Sequence, residues 1–298
     1  MQPRRYGPFH YVPITQRPRL TWPDDARLAL WVIPNIEFFG LEDPMPGVAN
    51  ERLPKATATI PNVRNWSLRD YGNRVGIWRL MDVMARHGVR GTAALNSELC
   101  DHHPQIIAAA KELGWEFIGH GQTNVVRMDE LTLEEERRAI HDTLTRIAAE
   151  TGRKPSGWLG PGLAETWHTL DVLVDEGCLY VCDWVNDDQP YVMDIGGRRL
   201  CSIPYSVEIN DVPMVFVHKL SNEDFEGRIR RQFDVLYSEG AESGRVMAIA
   251  VHPFVTGVPH RIDAFDSALR YICSHAGVWK ATGEEIVRHY LENACRDS

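Results

Sequence analysis

The chain has 298 residues, 44% of them hydrophobic and 24% charged, with a formal net charge of -9. A single α/β barrel needs about 250 residues, so the length and apolar content suit one, whereas the negative charge argues against nucleic acid or an anionic membrane surface as partner. No apolar stretch nears the roughly 20 residues of a membrane span and the amino end lacks the apolar segment of a signal peptide, so no membrane partner and a cytoplasmic location are expected.

Residues 1–27 are rich in proline, arginine and aromatics without periodicity and read as an arm over the body. Leu28 to Ile33 is an apolar run of buried-strand length, closed by Pro34-Asn35-Ile36-Glu37. Residues 38–73 turn to Gly, Pro and Asn and are predicted as a long loop, a lid or packing arm. Helical spacing runs from Val75 to His87, with Gly88 as its cap, and Gly91 to Leu95 reads as a strand. A helix over 104–113 leads to the strand Trp115 to Ile118, which delivers His120 in the turn Gly119-His120-Gly121-Gln122-Thr123-Asn124.

The capping box Thr132 to Glu135 opens a helix to Thr151, with Gly152 after it. Ser156 to Leu159 leads into Gly160-Pro161-Gly162, a helix follows to Glu176, and Leu179 to Cys182 delivers Asp183. Residues 187–220 are irregular, with room for a hairpin, before a helix over 222–239. Val246 to Val251 is the strongest strand and ends in His252. A helix over 262–275, a short strand at 278–280 and a helix opened by Thr282 complete the chain. Six cysteines (Cys100, Cys178, Cys182, Cys201, Cys273, Cys295) show no framework spacing and read as free thiols.

About seven strand–helix units in alternation require a mostly parallel sheet, and that number favours closure into a (β/α) barrel. One domain over 1–298 is expected. In such a barrel the carboxyl ends of the strands share one face, so Glu37, His120, Asp183 and His252 converge on one pocket. Glu37 is there as general base or metal ligand, with Asn35 two residues earlier on the same side of the extended chain. His252, its exit fixed by Pro253, suits a general acid toward a leaving nitrogen. Arg261 is either an anchor for a substrate carbonyl or carboxylate or a surface ion pair, and Trp158 and Trp184 adjoin the pocket.

In their order, strand-end Glu37, the His120 to Asn124 turn, Trp158-Leu159-Gly160-Pro161-Gly162, Asp183-Trp184 with Asp187-Asp188, and the run into His252 resemble the polysaccharide deacetylase (NodB homology) superfamily. Trp22 to Arg27, Tyr71 to Leu80 and Asp187 to Tyr191 narrow the resemblance to the branch of PuuE-type allantoinases and cyclic imide hydrolases. The resemblance implies a distorted (β/α) barrel of about seven parallel strands, hydrolysis of a C–N bond, and a homo-oligomer, dimer or tetramer. Metal-dependent members of the superfamily carry two acidic residues at the end of the first strand and two histidines four apart. Here Asn35 and Asn124 occupy two of those positions, and Gly160-Pro161-Gly162 stands where an arginine usually supports the base. Glu37 and His120 remain as two of three ligands, so no tightly bound metal is expected, with Zn2+ as the alternative.

The function expected is hydrolysis of a small cyclic amide, imide or ureide. In such rings the departing nitrogen is conjugated to a second carbonyl, and an oxyanion hole with one base and one acid can suffice. Glu37, with His120 beside it, would activate water, and His252, oriented by Asp183 or Asp187, would protonate the nitrogen. Asn124 and backbone N–H groups would polarise the carbonyl, and Asn35, Trp158, Trp184, Asp187 and Arg261 would contact the substrate. The alternatives are a metal-dependent deacetylase of an N-acetylated or N-formylated substrate, with Glu37 and His120 on the metal, and a non-catalytic barrel that binds carbohydrate or heterocycle.

Overall fold

The apolar run that begins the body forms strand β1 (Leu28–Ile36), buried along its whole length. The structure, a computed structural model, describes residues 5–45 and 60–293. β1 continues through Pro34, where the sequence suggests a stop. The missing N–H is tolerated there because β1 changes neighbour: Leu28 to Leu30 pair with β9 (Val278–Lys280), and Asn35 and Ile36 pair with β2 (Thr92–Leu95). Its other edge pairs in parallel with β8 (Arg245–Val251) from Leu28 to Pro34. Both strands are covered on both faces, which explains their unbroken apolar sequence.

Beyond β2 the sheet continues through β3 (Glu116–Gly119), β4 (Gly157–Trp158), β5 (Tyr180–Val181) and β7 (Arg198–Ser202). The order is β6-β7-β5-β4-β3-β2-β1-β8, where β6 (Tyr191–Ile195) is the antiparallel arm of a hairpin with β7 and the other pairings are parallel. The sheet curls into a distorted half-barrel. Its two ends meet at a seam crossed by one isolated bridge, Asn210 to Ala250, and by backbone hydrogen bonds from Val246 to Asp188 and from Ala250 to Ile209.

Nine helices among the described residues cover this sheet: α1 (Val63–Tyr71), α2 (Ile77–Arg86), α3 (Leu99–His102), α4 (Pro104–Glu112), α5 (Leu133–Thr151), α6 (Thr169–Asp175), α7 (Asn222–Glu239), α8 (Ile262–Cys273) and α9 (Gly283–Asn293). The predicted capping box at Thr132 and Glu135 opens α5, and Gly152 ends it at φ 82°. The sequence reading of 38–73 as loop needs correction, although part of that stretch lies outside the described residues. α1 occupies its end, and its burial is inverted: Asn65 and Arg69 face inward while Val63 and Leu68 are exposed, so no apolar period announces it.

Alternation along β1 divides the core. Leu28, Leu30, Val32 and Ile36 pack under α2 and α8 against Ile77, Leu80, Met84 and Phe265. Ala29, Trp31 and Ile33 turn into the barrel with Tyr180, Tyr205 and Ala248. Asn35 and Glu37 continue that inward set. The described part of the amino-terminal arm runs over the sheet edge: Asp194 of β6 donates its N–H to Pro8 O at 2.7 Å, and Arg17 grips Asp187. Cys100, Cys178, Cys182, Cys201 and Cys273 are free thiols, and Cys295 lies outside the described residues. Among the described residues no helix is long and apolar enough to cross a membrane.

Candidate active site

Glu37 leaves the carboxyl end of β1 and is buried. Its Oε1 lies 3.4 Å from His252 Nε2, 3.8 Å from His120 Nε2 and 2.8 Å from Asn124 Nδ2, which donates to it. Three strand ends and the turn after β3 therefore meet at one carboxylate oxygen. Burial works against its ionisation, but the charge of His252 and the contacts with His120 and His252 prevail and hold the carboxyl at about 2.

His252 follows β8 and is anchored on its far side. Its Nδ1 lies 2.6 Å from Oδ1 of Asp211, whose Oδ2 accepts the His252 backbone N–H at 2.7 Å and the Thr256 hydroxyl at 2.6 Å. Burial lowers its basicity, yet the charges of Asp211 and Glu37 outweigh that and raise His252 to about 10. Glu37 is thus a carboxylate and His252 an imidazolium across neutral pH. His120 is anchored differently: its Nδ1 lies 2.6 Å from Leu159 O and donates to it, while Nε2 faces Glu37.

The segment joining α1 to α2 braces both halves of the site. Asn73 Nδ2 donates to Glu37 O at 2.9 Å. A Cβ at Gly76 would stand 2.1 Å from Pro253 O, and one at Gly72 would stand 2.6 Å from Phe254 N, so only glycine lets this π-helical turn seat against the loop after His252. That contact accounts for the Tyr71-Gly72-Asn73-Arg74-Val75-Gly76 motif. The buried guanidinium of Arg69 lies over the Phe39 ring at 4.6 Å and the Phe254 ring at 5.5 Å, closing the wall behind Glu37.

The polysaccharide deacetylase family profile matches residues 67–181. That match supports a polysaccharide deacetylase (NodB) domain over those residues. A Schizosaccharomyces pombe protein whose name places it in the same family is 28% identical, over 90% of this chain and 91% of that protein. A probable polysaccharide deacetylase from Pseudomonas aeruginosa PAO1 superposes with TM-score 0.82 at 28% identity, covering 93% of this chain and 95% of that one. A PuuE allantoinase superposes with TM-score 0.80 at 27% identity, covering 93% and 94%. Members of this family are hydrolases of C–N bonds other than peptide bonds.

The fold brings together Glu37, His120, Asn124 and His252 as the sequence predicts, and Asn35 lies beside them, its Nδ2 3.3 Å from the hydroxyl of Tyr205. Other assignments need correction. Neither Asp183 nor Asp187 orients His252; Asp211 does. Asp187 is held by Arg17, with Nη1 to Oδ1 at 2.7 Å, and borders a seam groove of about 480 Å³ with Val246 and Ala248. Asp183 accepts the Gly160 N–H at 2.7 Å and faces Glu165. Burial pushes both carboxyls above the ordinary carboxylate range, and the charge of Asp183 pushes Glu165 further in the same direction. Trp158 is fully buried against Leu144 and Leu173 and is core, because β4 turns it toward the helices. Trp184 donates its indole N–H to Glu165 at 3.0 Å. Arg261 Nη1 donates to Val255 O at 2.7 Å and pins the loop after His252.

Asp211 and Tyr205 are the residues the sequence does not reveal. Both lie in the irregular stretch 187–220, where no periodicity marks which side chains turn inward.

The donor set at Glu37 does not fit a zinc ion of the kind the family implies. His120 Nε2 and the Glu37 carboxylate are suitable ligands, but the third position is Asn124, which turns its amide nitrogen, not its oxygen, toward Glu37. Among the described residues no three His, Cys, Asp or Glu side chains are placed to hold a metal ion.

Proposed function

We propose that this deacetylase-family hydrolase opens the C–N bond of a small cyclic amide, imide or ureide. The observation that carries this reading is the Glu37–His252–Asp211 chain, which keeps a carboxylate and an imidazolium 3.4 Å apart with both in their working protonation states. Water at Glu37 Oε1, with His120 Nε2 3.8 Å from that oxygen, would give up its proton to the Glu37 carboxylate as it adds to a ring carbonyl. The His252 imidazolium, held by Asp211, would then hand its Nε2 proton to the ring nitrogen as the C–N bond breaks.

The electronics favour a ring over a simple acetamide. The nitrogen of an imide or ureide leaves with its charge spread onto a second carbonyl, so one acid and hydrogen-bond donors carry more of the barrier. Asn124 supports the same reading: its Oδ1 is buried and accepts no hydrogen bond from the described residues, which suits a ring N–H.

The test is a hydrolysis panel of succinimide, hydantoin, dihydrouracil and allantoin beside N-acetylglucosamine oligomers, with and without chelator and added zinc. Ring opening that survives chelation, and falls by about three orders of magnitude or more in Glu37→Gln, is the expected outcome. Turnover confined to the acetylated sugars, or dependent on zinc, would assign the site to metal-assisted deacetylation instead.

A further inference from the structure

Tyr205 follows β7 and is buried, its ring edge-on to Trp31 with centroids 6.4 Å apart. Two side-chain amides donate to its hydroxyl oxygen, Asn35 Nδ2 at 3.3 Å and Asn210 Nδ2 at 3.3 Å. Its own proton is less well served. The acceptor for it among the described residues is Asn35 Oδ1 at 3.5 Å, far beyond the roughly 2.7–2.8 Å that a hydroxyl donor prefers. A hydroxyl that accepts two hydrogen bonds and makes only a poor one is polarised toward donation. It also borders the site, since Asn35, which donates to it, stands two residues before Glu37 on the same side of the extended chain. Burial pushes the phenol's pKa above its ordinary value, so the proton stays on oxygen at any working pH.

From this geometry we infer that Tyr205 is a catalytic residue: its O–H donates to the substrate carbonyl oxygen as that oxygen becomes an oxyanion. The inference rests on the hydrolytic reading of Glu37 and His252. As water adds, its oxygen bonds to the carbonyl carbon, the C=O π pair moves onto the carbonyl oxygen under the Tyr205 hydrogen bond, and the water proton goes to the Glu37 carboxylate. As the π pair returns, the C–N bond breaks and the His252 proton goes to nitrogen. Tyr205 keeps its proton throughout. Asn35 and Asn210 are positioning residues that aim and polarise the phenol, which gives Asn35 a role at a position where it cannot act as a base.

The test compares wild type with Tyr205→Phe and Asn210→Ala on whichever class of the panel wild type turns over, and measures the Kd of 2-pyrrolidinone, a lactam too unreactive to be consumed. Removing one oxyanion donor costs about 100-fold or more in kcat, so Tyr205→Phe should lose that much while the lactam Kd stays within about threefold and the limbs of the pH profile do not move. Asn210→Ala keeps the phenol proton and should lose less than about tenfold. The inference is overturned if Tyr205→Phe keeps kcat within about threefold of wild type, if lactam binding weakens in step with kcat, or if the pH limbs shift, since the last two mark a structural role acting through the pocket or Glu37. Turnover of acetylated sugars alone would remove the cyclic substrate while leaving the Tyr205 comparison decisive on that substrate. Turnover of neither class removes both.

Discussion

The imidazole Nδ1 of His252 lies 2.6 Å from Oδ1 of Asp211, a fully buried carboxylate whose other oxygen takes the His252 backbone N–H and the Thr256 hydroxyl. One carboxylate therefore fixes both the main chain and the ring of the acid, and leaves Nε2–H as the proton that can be given away. Asp211→Asn preserves the shape but offers an amide that can turn its NH2 to the ring and select the wrong tautomer. The expected loss in kcat is on the order of 10³-fold, with a folded protein by circular dichroism. Near-wild-type turnover would mean that another group holds the ring.

The same pair sets the pH dependence. The rate requires Glu37 ionised and His252 protonated. Glu37 sits at about 2, so the acid limb lies far below neutrality. His252 is raised to about 10, so the rate should stay level through neutrality and fall as pH climbs through that value. Without the Asp211 charge, one of the causes that raise it, the descending limb of kcat/KM in Asp211→Asn must move to lower pH. An unmoved limb would show that the limb belongs to a different group.

Asn124 decides the metal question. In wild type its nitrogen faces Glu37, leaving His120 and Glu37 as two donors, too few for tight zinc binding. Zinc added to wild type and dialysed should leave no stoichiometric metal by mass spectrometry. Asn124→His supplies the third donor and should retain zinc. Stoichiometric zinc on wild type would overturn the reading of this turn.

Gly76 offers a test at a distance from the chemistry. A Cβ there would meet Pro253 O at 2.1 Å, and Gly257 approaches from the other side, where its own Cβ would lie 2.4 Å from Gly76 O. Gly76→Ala must push α2 and the loop after His252 apart, at a cost of about 1–3 kcal/mol in stability from overpacking. Because that loop carries the acid, kcat should fall by more than the folded fraction does. A variant with lowered Tm but wild-type kcat would show that the loop can move without taking His252 along.

Much of this was written in local pattern. β1 and β8 are buried on both faces and spell themselves as apolar runs, and Glu37, His120 and His252 follow strand ends, where the topology gathers chemistry. What stayed hidden depends on tertiary context. α1 buries Asn65 and Arg69 and exposes Val63, so its period is inverted. Asp211 and Tyr205 sit in irregular chain positioned by the seam between β8 and the segment after β7. Asp183 and Asp187 looked like partners of His252 because they follow β5, yet one is turned to Glu165 and the other is claimed by Arg17 from the amino-terminal arm.

A carboxyl at the opposite end of the barrel controls stability. Glu116, at the start of β3, is partly buried, with Tyr180 OH on one oxygen at 2.6 Å, and Thr92 Oγ1 and the Glu284 N–H on the other, each at 3.0 Å. Burial outweighs these hydrogen bonds and raises it to about 7 from the ordinary 4.5. A carboxyl whose folded value is raised binds its proton more tightly in the folded than in the unfolded chain. Its contribution is complete below about 4.5 and is lost as pH rises through about 7, so this residue alone should cost on the order of 3 kcal/mol across that window. Glu116→Gln cannot ionise and should flatten the fall in unfolding free energy between those two pH values, measured by denaturant titration at several pH values. It also turns an NH2 toward donors that need an acceptor, so the variant is expected to be less stable than wild type at pH 5 and to close the gap by pH 8. Parallel curves for the two proteins would mean that Glu116 is already ionised in the folded barrel.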